Sequence, residues 1–204
     1  MNDSKIISGI QWILDTVYPN FEEFLPLMEG PEALEYGSET VAVGAKQYPL
    51  WIHSTMAPTY KHKQYLDFVP HPAWDEAAGN LMLWTLDKLK EHGIENDIVP
   101  VISWFIDYQE NGWQSMHTHD DSNCITQIIY MDDTPHLIPS STPKEAGYGA
   151  MYVVLGHETK PIYKSFISRP GRCIMMTGNV LHGVYPVKSV PRRSIVVDYL
   201  ILKS

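Results

Sequence analysis

The sequence predicts a β-sandwich or β-barrel with helices packed on one face. Helical spacing of apolar residues is confined to the first half of the chain, whereas the second half consists of short β-branched and aromatic runs separated by turns. A length of 204 residues favours one domain with a well-developed core. No repeat or linker suggests a boundary within residues 1–204, so residues 1–97 are predicted to form a helical and loop support region and residues 98–204 the β core.

The first half of the chain carries two helical patterns. The first is predicted to begin at about Lys5, with Ser4 as its cap, and to end at Pro19. The second and longer pattern follows His71-Pro72 and stops at His92-Gly93. Between them we predict a short helical turn and two strands, over Phe21–Met28, residues 40–43 and residues 50–52.

The second half predicts a series of short strands. The segment Thr134–Gly149, which is polar and rich in Pro and Ser, is predicted to be a long loop between two of them. The predicted strands are Val101–Tyr108, Ile125–Met131, Ala150–Leu155, Arg172–Met176, Val180–Pro186 and Ser194–Leu202.

Charge and composition argue against three classes of protein: non-specific nucleic-acid binders, disulfide-stabilised proteins and membrane or secreted proteins. The chain has 24 acidic and 15 basic residues and a net charge of −9, which argues against non-specific nucleic-acid binding but does not exclude a local basic groove. Its two cysteines give no disulfide framework. The N-terminus lacks a secretion signal pattern and no apolar stretch is long enough to span a bilayer, so a soluble cytoplasmic protein is expected.

The stretch Asn111–Tyr130 concentrates candidate metal ligands. On an extended segment, residues two apart project to the same side, so His119 and Asp121 can offer two ligands to one metal ion. His117 and His119 have the same spacing, and the residues alone leave both pairs open.

A third candidate ligand, His182, lies directly after a predicted tight turn. Two imidazoles and one carboxylate leave about three positions open on octahedral iron(II), the arrangement of non-haem oxygenases. An arginine on a neighbouring strand can then hold the far carboxylate of an acidic co-substrate. Strand alternation groups Arg193 with Ile195 and Val197, which favours Arg193 over Arg192 for this role.

These motifs resemble the iron(II)- and 2-oxoglutarate-dependent dioxygenases, in their prolyl-hydroxylase-like branch and its small phage and bacterial members. The resemblance covers roughly Tyr108–Tyr199 and implies a double-stranded β-helix, a jelly-roll and cupin-like fold, with helices packed on the larger sheet. Its motifs are H-D-D at 119–121, C-I-T-Q-I-I-Y at 124–130, P-G at 170–171, L-H-G-V-Y-P at 181–186 and R-S-I-V-V at 193–197.

The resemblance also implies the roles of individual residues. His119, Asp121 and His182 would bind Fe(II) as the catalytic centre. Arg193 would pair with the distal carboxylate of the co-substrate 2-oxoglutarate with help from the Tyr130 hydroxyl, and Tyr108 would lie near the iron-proximal end. O2 is the second co-substrate, and ascorbate the expected reductant. Some phage and bacterial members carry H-x-H, which keeps His117 as an alternative ligand.

The implied reaction is hydroxylation of an aliphatic C–H bond, with a peptidyl proline as the leading substrate. A free amino acid or another small metabolite is the alternative, and a nucleic-acid substrate is not favoured by the charge. A cupin-like lyase or isomerase and a non-catalytic jelly-roll binding module remain as rival classes. Either rival would need the metal ligands but not the late arginine.

Overall fold

The computed structural model describes residues 3–28, 42–52, 74–95, 97–119, 123–134, 147–156, 161–188 and 190–202. The strands are β1 Ser4–Ser8, β2 Gln11–Val17, β3 Ala42–Ile52, β4 Ile98–His117, β5 Cys124–Tyr130, β6 Met151–Leu155, β7 Ile162–Phe166, β8 Arg172–Thr177, β9 Leu181–Val184 and β10 Arg192–Ile201. The helices are a 3-10 helix at Phe21–Met28 and α1 at Trp74–Glu91. No helix in these ranges is long and apolar enough to cross a membrane.

All strand pairs of the described sheet are antiparallel, and the sheet is strongly curled. Its strand order is β1-β2-β8-β5-β10-β4-β9-β6-β7, with β3 also paired to β4. The long strand β4 connects the two parts of the sheet. Its first half pairs with β10 up to Tyr108, and its end pairs with β9 through Gln114 and His117.

A tight backbone contact marks the point where β4 changes partner. A Cβ atom at Gly112 would overlap the carbonyl oxygen of Gly44 on β3, so only glycine fits there. The preceding Asn111 has a φ of 64°, in the left-handed region. The register of β4 against β9 shifts between Gln114 and His117. Such an irregularity bends a strand and redirects the side chains after it, in this case toward the candidate site.

Both faces of the sheet bury apolar side chains. Along β10, Ile195 and Val197 belong to the same apolar cluster as Trp74 and Leu81 of α1. Val196, between them, belongs to a second cluster formed by residues of β4, β5, β6, β8 and β9. The first face of β10 therefore packs toward α1, and the second face lines the concave interior of the curled sheet.

The predicted N-terminal helix is wrong. Residues from Ser4 to Val17 form a hairpin of β1 and β2, and β2 continues the sheet by pairing with β8. Because β2 lies within the sheet, both of its faces are buried, and its apolar residues cannot show the simple alternation of a half-buried strand. The apolar residues on the two faces of these strands happen to fall at helical spacing, which led to the prediction of a helix. The isoleucines in this segment favoured a strand.

The remaining elements agree with the sequence more closely. Helix α1 ends at Glu91, directly before the predicted stop at His92-Gly93, and Gly93 has a φ of 74°. The two strands predicted around residues 40–52 are one irregular strand, β3. The edge strand β7 was missed, because three of its five residues are exposed and it carries little apolar pattern. The predicted loop Thr134–Gly149 lies mostly outside the described residues.

Candidate active site

Three histidines converge at the end of β4. The Nε2 atoms of His117 and His119 are 3.1 Å apart. The ring of His182, on β9, has its centroid 4.2 Å from that of His117 and 5.0 Å from that of His119. His117 and His182 are register partners across β4 and β9, which explains why residues 65 positions apart meet. One potential ligand atom from each of the three lies within 4.8 Å of the others.

Each of these imidazoles is oriented by an oxygen atom on its far side. The Nδ1 atom of His117 lies 2.9 Å from the carbonyl oxygen of Ser115, and that of His182 lies 3.0 Å from the carbonyl oxygen of Val180. The Nδ1 atom of His119 lies 2.9 Å and 3.0 Å from the two carboxylate oxygens of Asp198. An oxygen acceptor at Nδ1 places the proton there and leaves the lone pair on Nε2. The arrangement therefore fits a metal ion.

Burial keeps two of these histidines neutral. Desolvation, together with the neighbouring His119, lowers the pKa of His117 to about 4. Desolvation and the other two histidines lower the pKa of His182 well below its ordinary value. A neutral imidazole is the form that binds a metal ion, so both side chains are in the binding-competent state at neutral pH.

The ring of His119 is fixed by neighbours on two further sides. Trp104 of β4 stacks on it with a ring separation of 5.7 Å and an interplanar angle of 15°. The carboxylate of Asp198 on β10, its hydrogen-bond acceptor, is itself held by the hydroxyl of Thr126 on β5 at 2.8 Å. Hydrogen bonds of this kind orient metal-binding histidines and raise their basicity.

The histidines line one cavity of about 350 Å³, counted with the solvent space at its mouth. Most of its other wall is apolar, with Ile106, Ile128, Met151, Val184 and Val196. Its polar lining outside the histidines consists of Tyr108, Gln114, Arg192 and Ser194. A small cavity with an apolar wall and a few convergent polar groups is typical of a site for a small molecule.

Arg192 contributes a buried positive charge to this cavity. Its side chain is almost fully buried, and its Nε and Nη1 atoms donate to the carbonyl oxygen of Gly149 and the hydroxyl of Ser194, both at 3.2 Å. The guanidinium lies 4.7 Å and 5.1 Å from the ring centres of Tyr108 and Tyr130. Within the described ranges it forms no ion pair with a carboxylate. Since a buried charge without a counter-ion is costly, the site favours an anion.

The hydroxyl of Tyr130 is a second unsatisfied group near Arg192. It is buried, and no hydrogen-bond partner for it lies in the described part of the chain. Burial raises the pKa of Tyr130, so the hydroxyl keeps its proton and can donate to an anion. A buried hydroxyl without a partner calls for an explanation, and a bound carboxylate is one.

Arg193, the predicted carboxylate-binding residue, is directed elsewhere. It forms a two-pronged ion pair with Asp132 at 2.9 Å and 2.7 Å and does not line the cavity. The alternation that grouped Arg193 with Ile195 and Val197 holds, but that face packs toward α1. Arg192 therefore occupies the position expected for Arg193. The polar residues on the other face of β10 are Arg192, Ser194 and Asp198. This run of polar residues at alternate positions was a sequence signal that could have identified Arg192 as the residue that lines the cavity.

Tyr108 connects the arginine to the histidines. Its ring lies beneath Arg192, and its hydroxyl donates to Oε1 of Gln114 at 2.9 Å. The amide nitrogen of Gln114 lies 3.4 Å from Nε2 of His117. The structure thus brings together His119, His182, Tyr108 and Tyr130 among the predicted site residues, and it adds His117. Asp121, with its neighbour Asp120, lies outside the described residues.

No protein-family model matches the sequence, and no curated protein matches it. Solved structures do. A prolyl-4-hydroxylase from Pseudomonas putida is 12% identical, with 94% of this chain and 93% of that chain covered and a TM-score of 0.57. HygX from Streptomyces hygroscopicus, with nickel, 2-oxoglutarate and hygromycin B bound, is 11% identical, with 92% and 81% covered and a TM-score of 0.60.

A prolyl hydroxylase from Trichoplax adhaerens, in complex with a peptide fragment of hypoxia inducible factor, is 13% identical, with 91% and 83% of the two chains covered and a TM-score of 0.53. The fold of this chain is therefore that of the 2-oxoglutarate- and iron(II)-dependent oxygenases, a jelly-roll fold. Prolyl hydroxylases are among the structures that share it.

Proposed function

We propose that the protein is an Fe(II)- and 2-oxoglutarate-dependent dioxygenase that hydroxylates an aliphatic C–H bond. One observation carries this proposal: a single cavity is lined both by the convergent histidines and by the buried guanidinium of Arg192. A 2-oxo dicarboxylate needs both features, because its oxo acid end chelates a metal ion and its far carboxylate needs a cation. A cupin-like lyase or a binding module would not need the arginine.

The metal ion would be held by His119 and His182, with a third ligand from His117 or Asp121. Bound Fe(II) would supply the activation of O2 that C–H hydroxylation needs, with ascorbate keeping the iron reduced. The protein residues supply geometry. Asp198 and Trp104 fix the ring of His119, and the apolar wall of the cavity keeps water away from the reacting groups.

The far carboxylate of 2-oxoglutarate would bind Arg192, the role first assigned to Arg193. The hydroxyl of Tyr130 would donate a second hydrogen bond, as the family resemblance implies. Nε and Nη1 of Arg192 are held by Gly149 and Ser194, so the guanidinium is already positioned before the ligand enters. Charge-assisted hydrogen bonds from a fixed guanidinium are among the stronger polar contacts in proteins.

We propose a peptidyl proline as the prime substrate. The fold likeness to prolyl hydroxylases supports this choice, although HygX shares the fold and has hygromycin B bound. Proline-containing peptides are therefore the first substrates to test, followed by free amino acids.

Succinate formation tests the oxygenase proposal. The purified protein, supplied aerobically with Fe(II), ascorbate and 2-oxoglutarate, should form succinate slowly, and faster when a substrate peptide is added. His182→Ala, which removes a buried ligand, should abolish the reaction. If the wild-type protein binds iron and forms no succinate with any peptide or amino acid offered, the proposal is wrong.

A further inference from the structure

We infer that Gln11 is a positioning residue for the metal centre, and that the β1–β2 hairpin is therefore part of the functional site. The inference rests on the metal site of the proposed function, in which His119 and His182 bind the ion, and it holds whichever residue supplies the third ligand. Gln11 is the first residue of β2 and does not line the cavity. It acts through the β8–β9 turn, which consists of residues 177–180.

The β8–β9 turn contacts both histidines. The N–H of Val180 donates to the carbonyl oxygen of Thr177 at 3.0 Å, which closes the turn. The carbonyl oxygen of Gly178 accepts the backbone N–H of His119 at 2.8 Å. The carbonyl oxygen of Val180 lies 3.0 Å from Nδ1 of His182 and orients that ring. A displacement of this turn would therefore move the backbone of one histidine and the ring of the other.

The side chain of Gln11 holds the turn from the N-terminal hairpin. Its Nε2 atom donates to the carbonyl oxygen of Asn179 at 2.8 Å, and its Oε1 atom accepts the backbone N–H of Gly156, also at 2.8 Å. Because a carbonyl oxygen only accepts and a backbone N–H only donates, these two partners fix the orientation of the amide. Gln11 is only 5% exposed, so water competes weakly for either hydrogen bond.

Gln11 also connects two distant parts of the curled sheet. Gly156 directly follows β6, which pairs with β9, the strand of His182. None of the described strand pairs joins β2 to β6, so the amide of Gln11 makes a connection that the backbone pairing does not. A second contact comes from the same hairpin, because the N–H of Trp12 donates to the hydroxyl of Thr177 at 3.3 Å. The hairpin therefore holds the turn at two points.

Another buried glutamine offers a matched control. Gln127 of β5 is fully buried, and its amide is hydrogen-bonded to the hydroxyls of Thr85 on α1 and Tyr199 on β10. Tyr199 belongs to the apolar cluster that packs against α1, on the opposite face of the sheet from the cavity. Replacing either glutamine by methionine keeps the side-chain length and leaves buried polar groups without a partner. Both substitutions should therefore lower stability.

Metal affinity tests the role of Gln11 without requiring turnover. Ni(II) binding to the full-length protein would be measured by calorimetry, with chelator competition if it is tight. Loss of a group that orients a metal-bound histidine weakens metal binding about 10- to 100-fold. Because Gln11 acts one contact further from the metal, Gln11→Met should weaken Ni(II) binding by about fivefold to tenfold, and Gln127→Met by less than about twofold. Both variants should unfold at a lower urea concentration than the wild type.

Hydrogen exchange separates a local effect on the turn from a general loss of stability. In the metal-free protein, the exchange rate of the His119 N–H, measured by NMR, reports on its hydrogen bond to Gly178. Ile129, in the centre of the sheet between β8 and β10, reports on global unfolding. Gln11→Met should increase the rate at His119 relative to Ile129 by at least about tenfold, and Gln127→Met should leave this ratio unchanged.

Thr177→Val provides a second variant that tests the same connection if Gln11→Met does not fold. It has nearly the same shape and removes only the longer contact, the one with Trp12. Ni(II) affinity and the exchange ratio should change in the same directions as in Gln11→Met, by about threefold each.

The outcomes are distinguishable. Unchanged Ni(II) affinity in Gln11→Met, an equal loss in Gln127→Met, or an unchanged exchange ratio at His119 overturns the inference. If Thr177→Val has to replace Gln11→Met, the same results in that variant overturn it. A wild-type protein that binds no divalent metal overturns both the inference and the oxygenase proposal. A wild-type protein that binds Ni(II) and forms no succinate refutes the oxygenase proposal alone, because affinity and exchange then still decide the role of Gln11.

Discussion

Replacing Arg192 with methionine removes a buried charge while keeping most of the side-chain volume. If Arg192 pairs with the far carboxylate of 2-oxoglutarate, the substitution leaves that carboxylate desolvated without its partner. Removing one partner of a buried ion pair costs about 3–5 kcal/mol. At about 1.4 kcal/mol per tenfold change, the dissociation constant of 2-oxoglutarate should rise by about two to three orders of magnitude.

The ligand-free protein should respond differently to the same substitution. Arg192 has no carboxylate partner within the described residues, and replacing a buried ionic group by an apolar one of similar volume is often neutral or stabilising. We therefore expect Arg192→Met to unfold at the same or a higher urea concentration than the wild type. Unchanged stability together with lost affinity would show that the arginine serves binding and not folding.

Calorimetric titration of 2-oxoglutarate into the anaerobic Mn(II)-loaded protein measures this effect. Arg193→Met is the matched control, one residue away and paired with Asp132, and it should change affinity less than about threefold. Arg192→Lys should recover only part of the binding, because lysine keeps the charge but loses the two-pronged geometry. An affinity loss in Arg193→Met, or none in Arg192→Met with metal bound, would refute the reasoning.

Two further predictions concern stability and are measured by urea unfolding. Arg172 donates to the two carboxylate oxygens of Asp15 at 2.9 Å and 2.7 Å. Arg172→Met leaves that buried carboxylate without its partner and should lower the free energy of unfolding by about 3–5 kcal/mol. The double variant Asp15→Leu/Arg172→Met should recover most of that loss, and a double variant as unstable as the single one would contradict this. Gly79→Ala, on the exposed side of α1 with open space around it, should stabilise by about 0.5–1 kcal/mol, whereas Gly112→Ala should destabilise because its Cβ overlaps the Gly44 carbonyl. The reverse order would contradict the close approach of β3 and β4.

The sequence predicted the strands of the second half well and the N-terminal elements poorly. A short β-branched run between two turn residues is too short to form a helix, and β5, β8 and β10 lie close to their predicted ranges. In β2, burial on both faces removes the alternation that separates a strand from a helix. The strand that places β2 within the sheet, β8, follows more than 150 residues later, and no local sequence pattern indicates that pairing.

The same double burial explains why Arg192, and not the predicted Arg193, lines the cavity. Strand alternation states which residues share a face, and that grouping was correct. It does not state which face lines the cavity when an α-helix covers the other one. The wholly apolar set Ile195, Val197 and Tyr199 is the face that belongs to the α1 cluster.

The histidine cluster was predictable only in part. Motif spacing identified His119 and His182 correctly as neighbours in space. The position of His117 in this cluster depends on the register shift of β4 between Gln114 and His117, and the contact of Asp198 with His119 depends on the packing of β10 beside β4 and β5. Both follow from tertiary pairing, which a single sequence does not reveal.

A ligand series tests most directly whether one molecule spans the cavity from the histidines to Arg192. Calorimetry would compare 2-oxoglutarate with 2-oxobutanoate, which lacks the far carboxylate, and with glutarate, which lacks the oxo group, in the Mn(II)-loaded and metal-free protein. We expect 2-oxoglutarate to bind at least about 100-fold more tightly than either analogue when Mn(II) is present, and to fall to the level of glutarate when the metal is removed. Binding of 2-oxoglutarate that is no tighter than that of glutarate, or that is unaffected by metal removal, would contradict the proposed site.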